Sequence, residues 1–217
     1  ETIDTGLVVF FDDDIRVAPN VLMEYDRAAR NAKEGAYFGG PWDVRYETPP
    51  DDWIYPLLPP STRSSKAPDE FSWFIGYNWA AFAADLRALG GFNPQYGPGS
   101  PLNATGQETE MQARMRQAGL KARPVPEACV THHVPERMTT PQWILRRKFR
   151  DGVRRGIDWK RAAIRHNTRF EMGREAVVCA LSTAKQFARR DRFRAWRAAH
   201  ALAFHSGKLY GAFRYTQ

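Results

Sequence analysis

Cysteine is scarce in this chain. Only Cys129 and Cys179 occur in 217 residues. They lie far apart with no metal-ligand spacing, which argues against a disulfide framework or a thiolate metal site and fits buried thiols in a reducing compartment. No stretch approaches the ~20 apolar residues that a bilayer-spanning helix needs. The first residues are acidic and run straight into an apolar segment, so no secretory leader is legible. Internal repeats, low-complexity tracts and a glycine-rich phosphate loop are also missing.

What is present describes a folded protein. The hydrophobic fraction is 43% and the aromatic fraction 13%, as in globular chains and unlike disordered ones. The length suffices for one or two domains. Seven Trp and 13 Phe point to a core, a lined cleft, or both. The net charge of +8 conceals an asymmetry. Residues 146–217 carry 19 Lys and Arg against 5 Asp and Glu, whereas residues 1–145 carry 13 against 19. An acidic body with a basic tail argues against a nucleic-acid binder, and the tail suits an anionic surface such as phospholipid head groups.

The most informative segment is Asp12-Asp13-Asp14. It follows the apolar run Leu7-Val8-Val9-Phe10-Phe11, which reads as a strand buried on both faces. The C-terminal end of such a strand is where open α/β sheets bind ligands. Three adjacent carboxylates repel one another unless a cation or solvent screens them. The segment therefore reads either as a solvated acidic turn capping the next helix or as a site for a hard divalent cation with a phosphate-bearing substrate.

Downstream, the apolar spacing predicts a helix over 19–33 opened by Pro19, and Ala36-Tyr37-Phe38-Gly39-Gly40 reads as a strand entering a turn. Residues 47–70, rich in Pro, Asp and Ser, read as a long loop, with Trp42, Trp53 and Tyr55 either lining a cleft or anchoring it. Strands are expected at 71–75 and 79–83, helices at 84–89 and 107–118, and a strand at 125–131 ending in His132-His133. From Thr140 onward the chain reads as helical, with basic amphipathic segments at 168–188 and 190–210.

Two further clusters carry chemistry. Gly106-Gln107-Glu108-Thr109-Glu110 stands at a loop-to-helix junction. Carboxylates in a first helical turn are favoured by the macrodipole, and one facing a cleft can accept a proton from a hydroxyl nucleophile. His132-His133 at a strand end is workable, with carboxylates, as a divalent-ion site.

The order of these segments resembles the family 2 glycosyltransferases of GT-A fold. The resemblance is carried by Leu7 to Asp14 for the strand and its DxD motif. Phe74-Ile75-Gly76-Tyr77-Asn78-Trp79-Ala80-Ala81-Phe82 with Leu89-Gly90-Gly91-Phe92 matches the acceptor side. The motif Gly106 to Glu110, with Arg114 and Ala118-Gly119, matches the catalytic-base helix. Val130 to Pro135, followed by the basic stretch Arg146 to Gly152, matches the closing metal-site strand. Two departures stand out. Gln107 and Glu108 replace the usual pair of acids, and the family's N-terminal nucleotide-binding strands are absent, so the chain reads as beginning inside a larger domain.

The resemblance implies an α/β, GT-A-like (Rossmann-like) mixed sheet flanked by helices, made of the C-terminal part of a catalytic domain at 1–145 and a basic helical extension at 146–217. It implies an inverting glycosyltransferase that moves a sugar from a nucleotide-diphosphate donor to a hydroxyl of a saccharide, lipid-linked or small-molecule acceptor. It implies further that Mn²⁺ or Mg²⁺ is held by Asp14, Asp12 and His132, with His133 the alternative. On the same resemblance Glu108 is the expected base, with Glu110 as a second contributor. Asp13, Gly76, Asn78 and Trp79 line the donor and acceptor sites, where Trp73, Tyr77 and Trp79 can stack on a sugar ring or pack in the core. The location implied is cytoplasmic or peripheral on the cytoplasmic face of the membrane. The competing reading is a non-catalytic membrane- or partner-binding protein derived from a truncated transferase.

Overall fold

The computed structural model describes residues 5–32, 35–65, 73–161 and 169–215. Over these residues the protein is α/β, with two small mixed sheets and six α-helices. It divides into two compact units. The first comprises Glu1–Thr48, Pro60–Asn93 and Gln107–Pro135, and the second comprises Pro49–Pro59, Pro94–Gly106 and Glu136–Gln217.

In the first unit, β1 (Leu7–Phe10), β5 (Trp79–Phe82), β3 (Ala36–Gly39) and β6 (Lys121–Pro124) form one sheet in that order. β5 runs antiparallel to both neighbours, and β3 pairs parallel with β6. Helix α1 (Val21–Arg30) covers one face and α3 (Gln107–Gln117) the other. The period of two along a strand explains the division. Phe38 and Ala80 face the α1 core with Val21 and Tyr25, while Tyr37, Ala81 and Trp79 face the α3 core with Met111 and Met115. The short helix α2 (Ala83–Ala88) follows β5 directly.

A second sheet in the same unit has the order β2 (Ile15–Val17), β7 (Val130–Val134), β4 (Trp42–Tyr46). The chain crosses from β3 to β4 through Gly39 and Gly40, where backbones crowd. A Cβ on Gly40 would lie 2.0 Å from the Ala128 carbonyl oxygen, and one on Gly39 would lie 2.0 Å from Phe74 Cγ. Only glycine fits such approaches.

Several elements differ from the sequence expectation. β1 is half-buried rather than sealed on both faces, because β5 is its only partner among the described residues. α1 starts at Val21, with Pro19 left in the preceding turn. β4 and β6 were not anticipated, since each is short and carries charged side chains at its exposed positions. Residues 73–75 are not a strand, and Phe71 and Ser72 lie outside the described residues. The last strand spans Val130–Val134, so both histidines lie within it rather than beyond its end.

The second unit is helical: α4 (Pro141–Arg161), α5 (Arg169–Ala188) and α6 (Arg192–Arg214). α4 and α6 meet through paired glycines. A Cβ on Gly152 would lie 2.1 Å from the Phe204 carbonyl oxygen, and one on Gly207 would lie 2.0 Å from that of Phe149. Gly156 and Gly211 repeat the arrangement one turn on. Tyr96 joins the unit by donating to Asp158 at 2.7 Å. Trp53, a candidate cleft residue, pairs instead with Trp196 at 6.1 Å. Both cysteines are free thiols. No helix among the described residues is long and apolar enough to cross a membrane.

Candidate active site

The turn Phe11 to Asp14 links β1 of one sheet to β2 of the other. Because β2 pairs with β7, the register sets Ile15 opposite His132, and the Asp14 side chain reaches the same strand. His132 Nε2 lies 3.3 Å from Asp14 Oδ2. The alternation of the strand separates the histidine doublet: His132 is 4% exposed, whereas the His133 side chain faces solvent and its backbone N–H donates to the Asp14 carbonyl at 3.0 Å. His133 does not join the cluster.

Two observations mark this pair as more than a turn. Asp14 Oδ1 is buried and has no hydrogen-bond partner. The Asp12 carboxyl is held above the ordinary carboxylate range, first by partial burial and then by the charge of Asp14, with Asp13 adding to the effect and His132 opposing it. Asp12, Asp14 and His132 thus share one electrostatic field. Asp13, between them, is exposed.

His132 is held from behind. Its Nδ1 lies 2.8 Å from the Ser61 carbonyl oxygen, which also accepts from the Tyr77 hydroxyl at 2.6 Å. A carbonyl only accepts, so Nδ1 carries the proton and Nε2 is left toward Asp14. The Tyr77 ring packs 4.7 Å from the imidazole and edge-on to Trp42. Its hydroxyl is pushed well above the usual phenol range, by burial first and then by Asp14 and Asp12. Ser61 was not legible in the sequence, since it acts through its backbone from the middle of the Pro-rich loop.

Tyr77 also connects this cluster to Glu108. Its neighbour Gly76 lies against the Glu108 side chain: a Cβ there would stand 3.2 Å from Glu108 Cδ. The seat is fixed by Gln112, one turn further along α3 and fully buried. Gln112 Oε1 accepts from the Phe74 N–H and its Nε2 donates to the Phe74 carbonyl, both at 2.9 Å. A side-chain amide that satisfies a peptide group in this way fixes the 74–77 segment on α3. Gly76 and Glu108 are therefore brought together, and Tyr77, next in the chain, packs on His132, the partner of Asp14.

Three other candidates sit elsewhere. Asn78 is fully buried. It accepts from Tyr25 at 2.7 Å and donates to the carbonyls of Pro41 and Ala128 at 2.8 Å each, so its amide pins the crossover between the sheets rather than facing a ligand. Trp79 is 1% exposed and stacks on Phe10 at 4.5 Å, a core position. Glu110 is engaged by Arg114 at 2.8 Å, and Arg114 also donates to the carbonyls of Leu89 and Gly91. Glu110 thus anchors the Gly90-Gly91 turn. Trp73 keeps 45% of its surface exposed, with the Arg116 guanidinium 4.3 Å over its ring.

The donor set fits a hard or borderline divalent ion. Asp14 Oδ1 without a hydrogen-bond partner, and Asp14 Oδ2 facing His132 Nε2, are donor atoms of the kind such an ion takes. Among the described residues no group of three or more His, Cys, Asp or Glu has metal-site geometry. Ions such as Mg²⁺ are commonly held by one or two carboxylates together with substrate phosphates. No protein-family model matches the chain, and no curated protein sequence matches it.

Proposed function

We propose that this chain carries the metal-binding and base-bearing part of an inverting, metal-dependent glycosyltransferase of the family 2, GT-A type. The observation that carries the reading is the turn 76–77. Through Gly76 it lies against Glu108, and through Tyr77 it packs on His132, which in turn pairs with Asp14. The chemistry needs a base for the acceptor hydroxyl and a cation site for the leaving diphosphate, and the turn links the residues suited to each. The mixed α/β sheet with helices on both faces is compatible with the fold.

In this reading Asp14 and His132, with Asp12 beside them, hold Mn²⁺ or Mg²⁺. When bound, the ion neutralises charge on the departing diphosphate. Glu108 accepts the proton of the acceptor hydroxyl. The hydroxyl oxygen forms a bond to the anomeric carbon while the bond from that carbon to the diphosphate oxygen breaks. The nucleotide diphosphate leaves with the electron pair, and the configuration inverts. Gly76 leaves room for the carboxylate, and Trp73 offers an exposed ring face of the kind that sugars stack on.

The experiment is sugar transfer by the intact protein, with product stereochemistry read by NMR. Inverted product, and a loss of about 10²–10⁴-fold in Glu108→Gln with donor binding unchanged, supports the reading. Undiminished transfer in Glu108→Gln removes the base. Absence of both transfer and metal-dependent diphosphate binding favours the non-catalytic alternative.

A further inference from the structure

Helix α5 presents a face that no described residue of its own unit covers. Phe170 is 80% exposed, Val177 58%, Val178 59% and Leu181 67%. Positions 170, 177 and 181, with Ala184 and Ala188, fall on one side of a 3.6-residue helix. The opposite side is occupied: Met172 is fully buried, and Glu175 turns to His205 at 3.0 Å and Lys208 at 3.7 Å on α6. The outward stripe is bordered by Arg174 and Lys185, and it runs into Arg189, Arg190 and Arg192, all exposed. Of the nearby acids, Glu175 is engaged on α6 and Asp191 with Arg194 at 3.3 Å, while Glu171 lies half-buried in the first turn of α5.

We propose that this face of α5 docks in the plane of an anionic phospholipid bilayer. The apolar stripe enters the acyl boundary and the basic border meets the head groups. An apolar face flanked by Arg and Lys is the arrangement that lies on membranes, whose cytoplasmic leaflets are negative. The long aliphatic stems of Arg and Lys let the charges stay at head-group level while the stripe sinks. Charge complementarity selects this occupant over a second copy of the chain, which would oppose one basic border with another. α5 lies on the bilayer rather than across it, because it is not apolar enough to span. The inference locates the surface that the basic composition of residues 146–217 only suggested, and it stands independently of the proposed transfer chemistry.

The test is co-sedimentation of the whole chain with phosphatidylcholine vesicles, with and without phosphatidylglycerol. The expected result is binding to the anionic vesicles that falls as salt rises. Val177→Glu/Leu181→Glu should lose at least about 10-fold of that binding, while Leu181→Phe retains it. Arg189→Glu/Arg190→Glu should weaken binding and flatten its salt dependence. All four positions are exposed, so unchanged thermal melting separates lost binding from lost fold. No binding by the unaltered chain, or equal binding by Val177→Glu/Leu181→Glu, overturns the proposal. So does a concentration-dependent dimer in sedimentation velocity that the same variant abolishes, because the stripe is then a self-interface.

Discussion

His132 Nε2 stands 3.3 Å from Asp14 Oδ2 while its other ring nitrogen is tied to the Ser61 carbonyl at 2.8 Å. The two facing atoms are both acceptors when the ring is neutral. A second proton on the ring, or a cation shared by both groups, resolves the conflict. Strand alternation creates the relationship, because it turns His132 inward and His133 outward.

Tyr77 is the support that keeps His132 in this orientation. Its hydroxyl and the imidazole share one carbonyl, and its ring lies against the imidazole. Tyr77→Phe should keep the ring contact but lose the hydroxyl's bond, costing about 1 kcal/mol of stability. It should also weaken Mn²⁺ binding by about 10–100-fold, the usual penalty for removing an outer partner. Denaturant melts and Mn²⁺ titration of the same variant check both effects.

Gly76 sets the position of Glu108. Gly76→Ala puts a methyl group 3.2 Å from Glu108 Cδ, closer than the carboxylate tolerates without moving. A shift of a few tenths of an ångström is cheap for a side chain and costly for a base that must meet a hydroxyl. Transfer should fall by about 10-fold or more with Mn²⁺ binding unchanged, and the melting temperature should move little. Steady-state kinetics beside a thermal melt makes the comparison.

The glycine pairs of α4 and α6 should respond oppositely to Gly173 on α5. Gly152→Ala drives a methyl group to within 2.1 Å of the Phe204 carbonyl oxygen, and overpacking of this kind costs about 2–3 kcal/mol. Among the described residues, nothing lies within 4 Å of a Cβ added to Gly173 on α5, beyond the helix's own backbone. Gly173→Ala should therefore stabilise by about 0.5–1 kcal/mol through helix propensity. Denaturant unfolding of the two variants compares them.

His200 makes the helical unit acid-sensitive. Burial first, then the neighbouring Lys148, pushes its imidazole down from 6.5 to about 4, with Asp151 acting against them. Between those values the unfolded chain takes up a proton that the folded chain refuses. Stability is thus complete above about pH 6.5, declines as pH falls, and is fully lost for this group below about 4. The ring is only partly sheltered, so the loss is on the order of 1–2 kcal/mol. His200→Phe should flatten this part of the profile, as followed by chemical unfolding between pH 7 and about 4.

Much of the architecture was legible because long, periodic segments dominate it. The β1 run, the core of α1, β3, β5, α3 and the helical character after Thr140 all follow from apolar spacing. The short strands β4 and β6 were not, because their pairing is decided by neighbours distant in sequence. In the candidate site, the acidic turn, Glu108 and His132 stood out as residue types. Asn78 and Trp79 were placed near ligand by analogy, yet they serve the core, and polarity alone does not distinguish a ligand-facing amide from one that pins two backbones. Ser61 and Gln112 were invisible, since one acts through its carbonyl and the other through a fold-dependent pairing with Phe74.

The most direct measurement is Mn²⁺ binding by the chain in the presence of inorganic pyrophosphate, followed by electron paramagnetic resonance. The account predicts saturable binding that pyrophosphate strengthens. Asp14→Asn and His132→Phe should each weaken it by more than the ~10–100-fold expected for an outer partner, with melting behaviour preserved. Binding of equal strength in the unaltered chain and in Asp14→Asn would contradict it.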